Sequence, residues 1–232
     1  MAYNPVSIES HHSPNPSKQE YYTVICHSHR VRTTVTATPS VVRKWVNRIR
    51  YHHRYHIRSG RLVVGLGVQW TPSTDPPPAT LQLCVGHDCL IFQLEHTNTT
   101  PAALHRFLAE PGVTFVGIWN YRDEGLLRCS RHRLRVSRLV DVRDVACEMR
   151  GCRRGAPMEE LAGEVLGMGG VVKDGVVGRS EWDDEWLSEE QVEYACVDVF
   201  IAFLMGKALR AWKWIDYSSD DGDDDSGDQS ID

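Results

Sequence analysis

A short apolar run at residues 61–70, interrupted by two glycines, constrains the fold of this chain more than any other feature of its sequence. The run reads Arg-Leu-Val-Val-Gly-Leu-Gly-Val-Gln-Trp, and most of its side chains are aliphatic. It is too short to cross a membrane as a helix, which takes about 20 apolar residues, but it has the length and composition of a central β-strand. We therefore predict a sheet at the centre of a globular domain.

The flanking sequence predicts the other elements of an α/β fold with a mixed sheet. Runs rich in β-branched residues at 21–26 and 31–37 predict a hairpin. The helix that follows has one apolar stripe, formed by Val42, Trp45, Val46, Ile49, His53 and His56. Further strands are expected at 79–86, 89–94, 113–119 and 136–141, and further helices at 101–109, 142–149, 157–166 and 188–210.

Both ends of the chain differ in composition from its middle. Residues 1–19 are rich in Ser, Pro, His and Asn without an apolar period, and we expect them to be disordered. Residues 214–232 form an acidic tail that we also expect to be disordered, which leaves one domain at 20–213. Without the tail's eight aspartates, the 31 acidic residues fall to 23 against 26 basic ones. Such a weakly basic body is compatible with nucleic acid but does not require it.

The seven cysteines are scattered and odd in number, which favours free thiols in a reducing, intracellular compartment, nucleus or cytoplasm. Two C-x4-C spacings, at 84/89 and 147/152, resemble half of a zinc site, and His52, His53 and His56 include an i,i+4 pair. Neither group is accompanied by the further ligands of a zinc site, so buried thiols and a packed or basic helix face are favoured. We expect no membrane span and no secretion signal.

Several segments between residues 60 and 210 resemble, in order and in spacing, the motifs of the Werner-type 3′–5′ exonuclease domain. Residues 63–70 resemble the family's first strand, which leads into D-x-E-W, and 79–84 and 89–93 resemble its next two strands. Residues 115–118, followed by Asp123, resemble the second motif.

The third motif of that family, Y-x-x-x-D, is matched by Tyr194 and Asp198. Trp182 and residues 187–191 resemble its usual lead-in, and Asp141 matches the aspartate of a V-D step between the second and third motifs. The ordered set is more specific than any of its parts, and it identifies the chain as resembling the DEDDy class, in particular plant-type Werner-like exonucleases.

The resemblance implies a ribonuclease H-like mixed sheet flanked by helices, here with an added N-terminal β-hairpin and helix. Members of the family cleave a terminal phosphodiester with two Mg²⁺ or Mn²⁺ ions, which carboxylate oxygens hold. By this resemblance, Asp123 and Asp198 occupy metal-ligand positions. Tyr194 occupies the position that orients the attacking water.

The D-x-E positions of the first motif are degenerate, because this chain has Gly67 and Gln69 there. Glycine offers no ligand, and glutamine offers one neutral oxygen in place of a carboxylate. We therefore expect Mg²⁺ or Mn²⁺ to bind weakly or not at all. Trp119 stands where the family usually has glycine, and Leu126 where it often has lysine.

Two nearby acids, Asp75 and Glu95, could in principle compensate, but neither lies where it would point into the cleft from the strand. We therefore favour an impaired exonuclease-like protein, retained for nucleic-acid binding or for assembly as a homo- or hetero-oligomer with related subunits. The alternative is an active, metal-dependent 3′–5′ exonuclease acting on DNA or RNA ends.

The most basic stretch of the chain is the helix after the predicted hairpin. Its candidate nucleic-acid-binding residues are Arg43, Arg48, Arg50 and Arg54. Phosphate contacts of this kind are electrostatic and carry no sequence information. The apolar stripe of the same helix must pack either on its own core or on another subunit, and we favour its own core.

Overall fold

The computed structural model describes residues 5–74 and 76–214 of the 232-residue chain. The described residues contain the strands β1 Val6–His11, β2 Glu20–Cys26, β3 His29–Thr36, β4 Leu62–Gln69, β5 Thr80–Val85, β6 Asp88–Gln93, β7 Val113–Gly117 and β8 Leu139–Asp141. All eight join one sheet, in the order β1-β2-β3-β6-β5-β4-β7-β8. The acidic tail expected to be disordered lies, from residue 215 on, outside the described residues.

The sheet is mixed, because β4 pairs in parallel with β7 but antiparallel with β5, and β3 pairs in parallel with β6. The helices are α1 Pro39–His52, α2 Arg54–Arg58, α3 Ala102–Leu108, α4 Asp123–Cys129, α5 Val142–Arg150, α6 Met158–Leu166 and α7 Glu189–Ala208. The predicted α/β class is confirmed, with a mixed sheet, flanking helices and an N-terminal hairpin and helix.

Helices α7 and α3 cover opposite faces of the sheet. A Cβ built on Gly206 of α7 would lie 3.0 Å from the methyl groups of Val116 on β7. The neighbouring Phe115 points to the other face, where its ring centroid is 5.8 Å from that of Phe107 on α3. Helix α1 packs against α3 and buries its stripe of Val42, Trp45, Val46 and Ile49. The prediction that this stripe packs on its own core is confirmed.

Several boundaries differ from the prediction. The single helix expected after the hairpin is interrupted at His53, whose φ of −105° and ψ of 15° depart from helical values. His53 is half-buried and His56 is exposed, so the apolar stripe ends with α1. Strands β7 and β8 are shorter than expected, and the seven-residue helix α4 was not predicted.

The expectation that residues 1–19 are disordered is wrong for β1, which pairs antiparallel with β2 from Val6 opposite Cys26 to His11 opposite Tyr21. Val6 is buried and Ile8 half-buried, while Ser7 between them is exposed. This period-2 alternation is too short to stand out from its Ser- and His-rich surroundings. The strand gains its stability from the backbone hydrogen bonds that β2 offers at the sheet edge, which a local sequence pattern cannot reveal.

All seven cysteines are free thiols, and those at 26, 84, 89, 152 and 196 are buried. No group of three or more His, Cys, Asp or Glu side chains that could hold a metal ion occurs among the described residues, which leaves the zinc interpretations without support. Within residues 5–74 and 76–214, no helix combines the length and apolarity needed to cross a bilayer.

Helix α7 crosses β4 at an unusually short distance. A Cβ on Gly65 would lie 2.0 Å from the Val199 carbonyl oxygen, so only glycine lets the two backbones approach this closely. Gly65, Gly67 and Gln69 alternate along β4 and therefore share the face that α7 covers.

We predict that Gly65→Ala destabilises the protein by about 1–3 kcal/mol or more, because the added methyl group must push α7 away from β4. Gly163→Ala is the matched control, since a Cβ at Gly163, within α6, would meet nothing within 4 Å. That change should be neutral or stabilise by up to about 1 kcal/mol. Urea unfolding measures both, and equal stability of the two variants would contradict the close approach of α7.

Candidate active site

Strand β4 directs the first two motif positions toward helix α7. Gly67 pairs with Gln82 of β5, and a Cβ built on Gly67 would lie 3.9 Å from Asp198 Oδ2 and 3.0 Å from Val199 Cγ1. A side chain at position 67 would thus enter the space beside Asp198. Gln69, two residues further on, is half-buried on the same face.

Helix α7 supplies the third motif. Its start is set by a capping box, in which Ser188 accepts from the Gln191 amide and the Gln191 side chain accepts from the Ser188 amide. Tyr194 and Asp198 follow one helical turn apart and share a face. The Tyr194 ring lies 5.9 Å from that of buried Trp182, which holds it in place from the loop before α7.

Asp123 begins helix α4 and is only 6% exposed. Burial, reinforced by the Asp198 and Asp141 carboxylates and partly offset by Lys173, raises the pKa of Asp123 to about 8. A carboxyl group that is buried near two others is therefore mainly protonated at neutral pH.

Lys173, which lies in the loop between α6 and α7, was not found by sequence reasoning. Its Nζ donates to Asp198 Oδ1 at 2.7 Å and lies 4.5 Å from the Tyr194 ring centroid. Burial lowers the pKa of the Lys173 ammonium, but Asp198 and Tyr194 raise it by more, so the net shift is upward. The loop has no periodic pattern, so the sequence contains no signal that places this lysine in the site.

The motif positions converge on one cavity of about 200 Å³. Its lining includes Gly67, Gln69, Asp123, Tyr194, Asp198, Lys173 and Trp119. Glu95 lies elsewhere and pairs with Arg131 at 3.4 Å, and Asp75 lies outside the described residues. The structure thus brings together the motif positions predicted from sequence, and Glu95 does not join them.

Trp119 is held at the edge of this cavity in a backbone conformation that suits glycine. Its φ of 58° costs a non-glycine residue roughly 1–2 kcal/mol. The Trp119 amide donates to Asp141 Oδ2 at 2.9 Å, and Asp141 also binds the Arg143 guanidinium at 2.6 Å and caps α5. Arg143 in turn lies 3.4 Å from the Trp119 ring centroid. Asp141 is therefore a structural anchor for the loop that carries Trp119.

The residues present do not fit a pair of divalent cations. Gly67 provides no donor atom, Gln69 provides one neutral oxygen, and an ammonium group already binds Asp198. Among the described residues, no group of three or more candidate ligands surrounds a common point. The cavity therefore contains two carboxylates, those of Asp123 and Asp198, and one cation, the Lys173 ammonium group.

The predicted nucleic-acid-binding arginines do not line the cavity, and they lie on α1, at Arg43, Arg48 and Arg50, and on α2, at Arg54. Arg43 and Arg54 are exposed, whereas Arg48 pairs with Asp88 at 3.1 Å and Arg50 with Glu110 at 3.2 Å. Such surface pairs contribute little, about 0–1 kcal/mol each, so a phosphate group can compete for these arginines.

Comparisons with known proteins agree on one family. The profile of the 3′–5′ exonuclease family matches residues 69–211. The chain is 28% identical over 153 residues to the bifunctional 3′–5′ exonuclease/ATP-dependent helicase WRN of Mus musculus, a match that covers 63% of this chain but 11% of that protein.

Solved structures with a similar fold include Escherichia coli RNase D and the EXO domain of Aedes aegypti Nibbler. The first is 18% identical, with a TM-score of 0.62, and the match covers 77% of this chain and 44% of that chain. The second is 16% identical, with a TM-score of 0.53, and the match covers 69% of this chain and 83% of that chain. At such identities the likeness concerns the fold alone.

The raised pKa of Asp123 predicts how stability depends on pH. The folded state binds the proton more tightly than the unfolded chain, whose carboxyl titrates near about 3.9. The stability from this group is therefore complete below about pH 4 and is lost as the pH rises toward about 8. Relative to Asp123→Asn, the native protein should lose of the order of several kcal/mol between pH 4 and 9. Urea unfolding in EDTA tests this, and parallel pH profiles for the two proteins would refute it.

Proposed function

Because the chain belongs to the 3′–5′ exonuclease family, we propose that it is a catalytically impaired member that binds nucleic acid without degrading it efficiently. The family's nuclease site is built around carboxylates that hold metal ions. This chain keeps the position of that site in the fold but has changed the charges within it.

The ion pair between Lys173 and Asp198 carries the proposal. Its 2.7 Å contact lies where the third motif of an active relative would offer a free carboxylate to a metal ion. The side chains are 24% and 15% exposed, so removing the ammonium group would leave a mostly buried carboxylate without its partner. A divalent ion that binds Asp198 must first displace this lysine.

The lost carboxylates add to this barrier. In an active site of the family, Mg²⁺ or Mn²⁺ would supply the Lewis acidity for phosphodiester cleavage. Among the described residues, Asp123 and Asp198 are the acids that face the cavity, and Gly67 and Gln69 contribute no charge. Weak or absent binding of either ion follows from that donor set.

Binding to nucleic acid is the activity that the remaining surface supports. Exposed Arg43 on α1 and Arg54 on α2 can contact phosphate groups, and Arg48 and Arg50 can exchange their surface partners for them. Assembly with other subunits lacks comparable support, because the apolar stripe of α1 is buried in the protein's own core.

An active, metal-dependent exonuclease acting on DNA or RNA ends remains the second candidate. It is favoured by the convergence of Asp123, Tyr194 and Asp198 on one cavity, as catalysis in the family requires. The two candidates differ in metal affinity and in metal-dependent digestion.

We predict that calorimetry detects no two-site Mg²⁺ or Mn²⁺ binding in the micromolar range, and that single-stranded and recessed-end substrates stay intact. The variant Gly67→Asp with Gln69→Glu and Val199→Ala should gain metal binding. Val199→Ala is included because a Cβ at position 67 would lie 3.0 Å from Val199 Cγ1.

The matched control is Gly67→Asn with Val199→Ala, which adds the same bulk without charge and should stay without metal. Metal-dependent digestion by the unmodified protein would establish the second candidate in place of the first.

The basic side chains of α1 and α2 generate a separate prediction. Reversing Arg43 on α1 and Arg54 and Arg58 on α2, all of them exposed, to glutamate should weaken binding of a single-stranded oligonucleotide at low salt. The slope of log affinity against log salt should also fall by about 2, because each phosphate contact contributes about 0.7.

The matched control reverses three other exposed arginines to glutamate, Arg133, Arg135 and Arg150. It changes the net charge by the same amount at another part of the surface. Equal loss of affinity in the two variants would assign the effect to net charge rather than to the surface of α1 and α2.

A further inference from the structure

Two exposed aromatic side chains stand in the loop after β7, and one of them, Trp119, lines the cavity. Trp119 is 52% exposed and Tyr121 is 76% exposed. The loop leaves the carboxyl end of β7, which runs parallel to β4, and the neighbouring strand ends there at Gln69 and Trp70. Trp70 and Trp119 both line the cavity that holds Asp123, Tyr194 and Asp198.

The anchoring of this loop by Asp141 does not explain why position 119 carries a tryptophan. A bulky residue at a φ of 58° is a genuine outlier, and glycine would adopt this conformation without strain. Burial does not offset the strain, because half of the tryptophan surface stays in water. Such an outlier, held in place by its surroundings, is a reason to look for a function of the side chain.

The surroundings hold the Trp119 ring as a rigid platform. Arg143 lies 3.4 Å from the ring centroid, and its guanidinium is itself fixed by Asp141, with side chains only 10% and 9% exposed. The next residue, Asn120, is buried and donates to the Val140 carbonyl at 3.1 Å. Little freedom is left for the ring to lose when a ligand stacks on it.

An exposed arginine lies near the platform. Arg143, which lies against Trp119, is paired with Asp141, but the exposed guanidinium of Arg122 is 6.0 Å from the ring centroid of Trp70. Aromatic rings that alternate with arginines beside a cleft are the elements with which proteins bind single-stranded nucleic acid, since the rings stack on bases and the cations attract phosphates.

We infer that the Trp119 ring stacks an unpaired nucleobase at the mouth of the cavity, so that this loop is a base-binding site for single-stranded nucleic acid. The inference rests on the proposed binding of nucleic acid and names the place where the base is held. A base in the stack of an intact duplex cannot reach the ring, so strand ends and single strands are the ligands of this site.

The test uses fluorescence anisotropy of labelled single-stranded DNA and RNA oligonucleotides of one sequence, with the whole chain and EDTA present. Trp119→Ala should lower the affinity roughly 5- to 100-fold, and Trp119→Phe should retain most of it. Trp186→Ala is the matched control, because Trp186 is 59% exposed but does not line the cavity, and it should bind normally. The oligonucleotide that binds more tightly, DNA or RNA, identifies the sugar that the site prefers.

Two further arms separate stacking from charge and from stability. An abasic strand keeps its phosphates, so Trp119→Ala should bind it as well as the native protein does. Trp119→Gly relieves the strain and should melt at a higher temperature than Trp119→Ala, yet bind the base-containing strand equally weakly.

The outcomes are distinguishable. If the native protein binds neither strand, the proposed function fails, and the stacking site fails with it. If it binds but Trp119→Ala binds equally well, the stacking site alone is overturned. The same holds if Trp119→Ala loses affinity for the abasic strand in equal measure, or if affinity follows melting temperature across the variants.

Discussion

The close approach of α7 to β4 is the constraint on which the rest of the structure depends. At Gly65 the two backbones come so near that a methyl group would lie 2.0 Å from the Val199 carbonyl oxygen. Gly206, two helical turns beyond Val199 on α7, packs against the side chains of Val63 and Val116, whose methyl groups would lie 3.0 Å from a Cβ there. Glycines at both contacts fix the height and direction of the helix above the sheet. Tyr194 and Asp198 are thereby carried over position 67, whatever residue stands there.

The cavity formed in this way must balance the charges it encloses. Asp123 and Asp198 lie near one another in a mostly buried space, where two uncompensated carboxylates would be costly. The balance comes from within the chain, because Lys173 binds Asp198 and the pKa of Asp123 rises to about 8. A metal ion would supply the same compensation in a site with its full set of carboxylates. In this chain the Lys173 ammonium group and the proton on Asp123 thus compensate the charge of the enclosed carboxylates.

The loop after β7 illustrates how a single substitution changes the rim of such a cavity. The resemblance to the exonuclease family implies glycine at position 119, and the φ of 58° there is the conformation that glycine adopts easily. Asp141 holds the loop in that shape through the Trp119 amide, and Arg143 supports the ring. The backbone at position 119 thus has a conformation typical of glycine, while about half of the tryptophan surface is exposed to solvent beside the cavity.

Much of this arrangement was predictable from the sequence, because it follows from local patterns and ordered motifs. Each of these patterns involves only a few neighbouring residues. They are the apolar run of β4, the hairpin, the capping box of Ser188 and Gln191, and the i,i+4 spacing of Tyr194 and Asp198. Their order predicted the family and the convergence of the motif positions.

The interactions that join distant segments were not predictable in this way. The sequence by itself determined the mixed sheet, the buried face of α1 and the absence of a carboxylate at Gly67 and Gln69, because strand alternation, helical periodicity and residue chemistry are local properties. Only the tertiary structure decided that Val6–His11 pairs as a strand, that Lys173 binds Asp198, and that the Trp119 ring packs against the Arg143 guanidinium. Each of these depends on a partner brought near by folding, since an edge strand needs a strand to pair with and a buried charge needs its counter-charge.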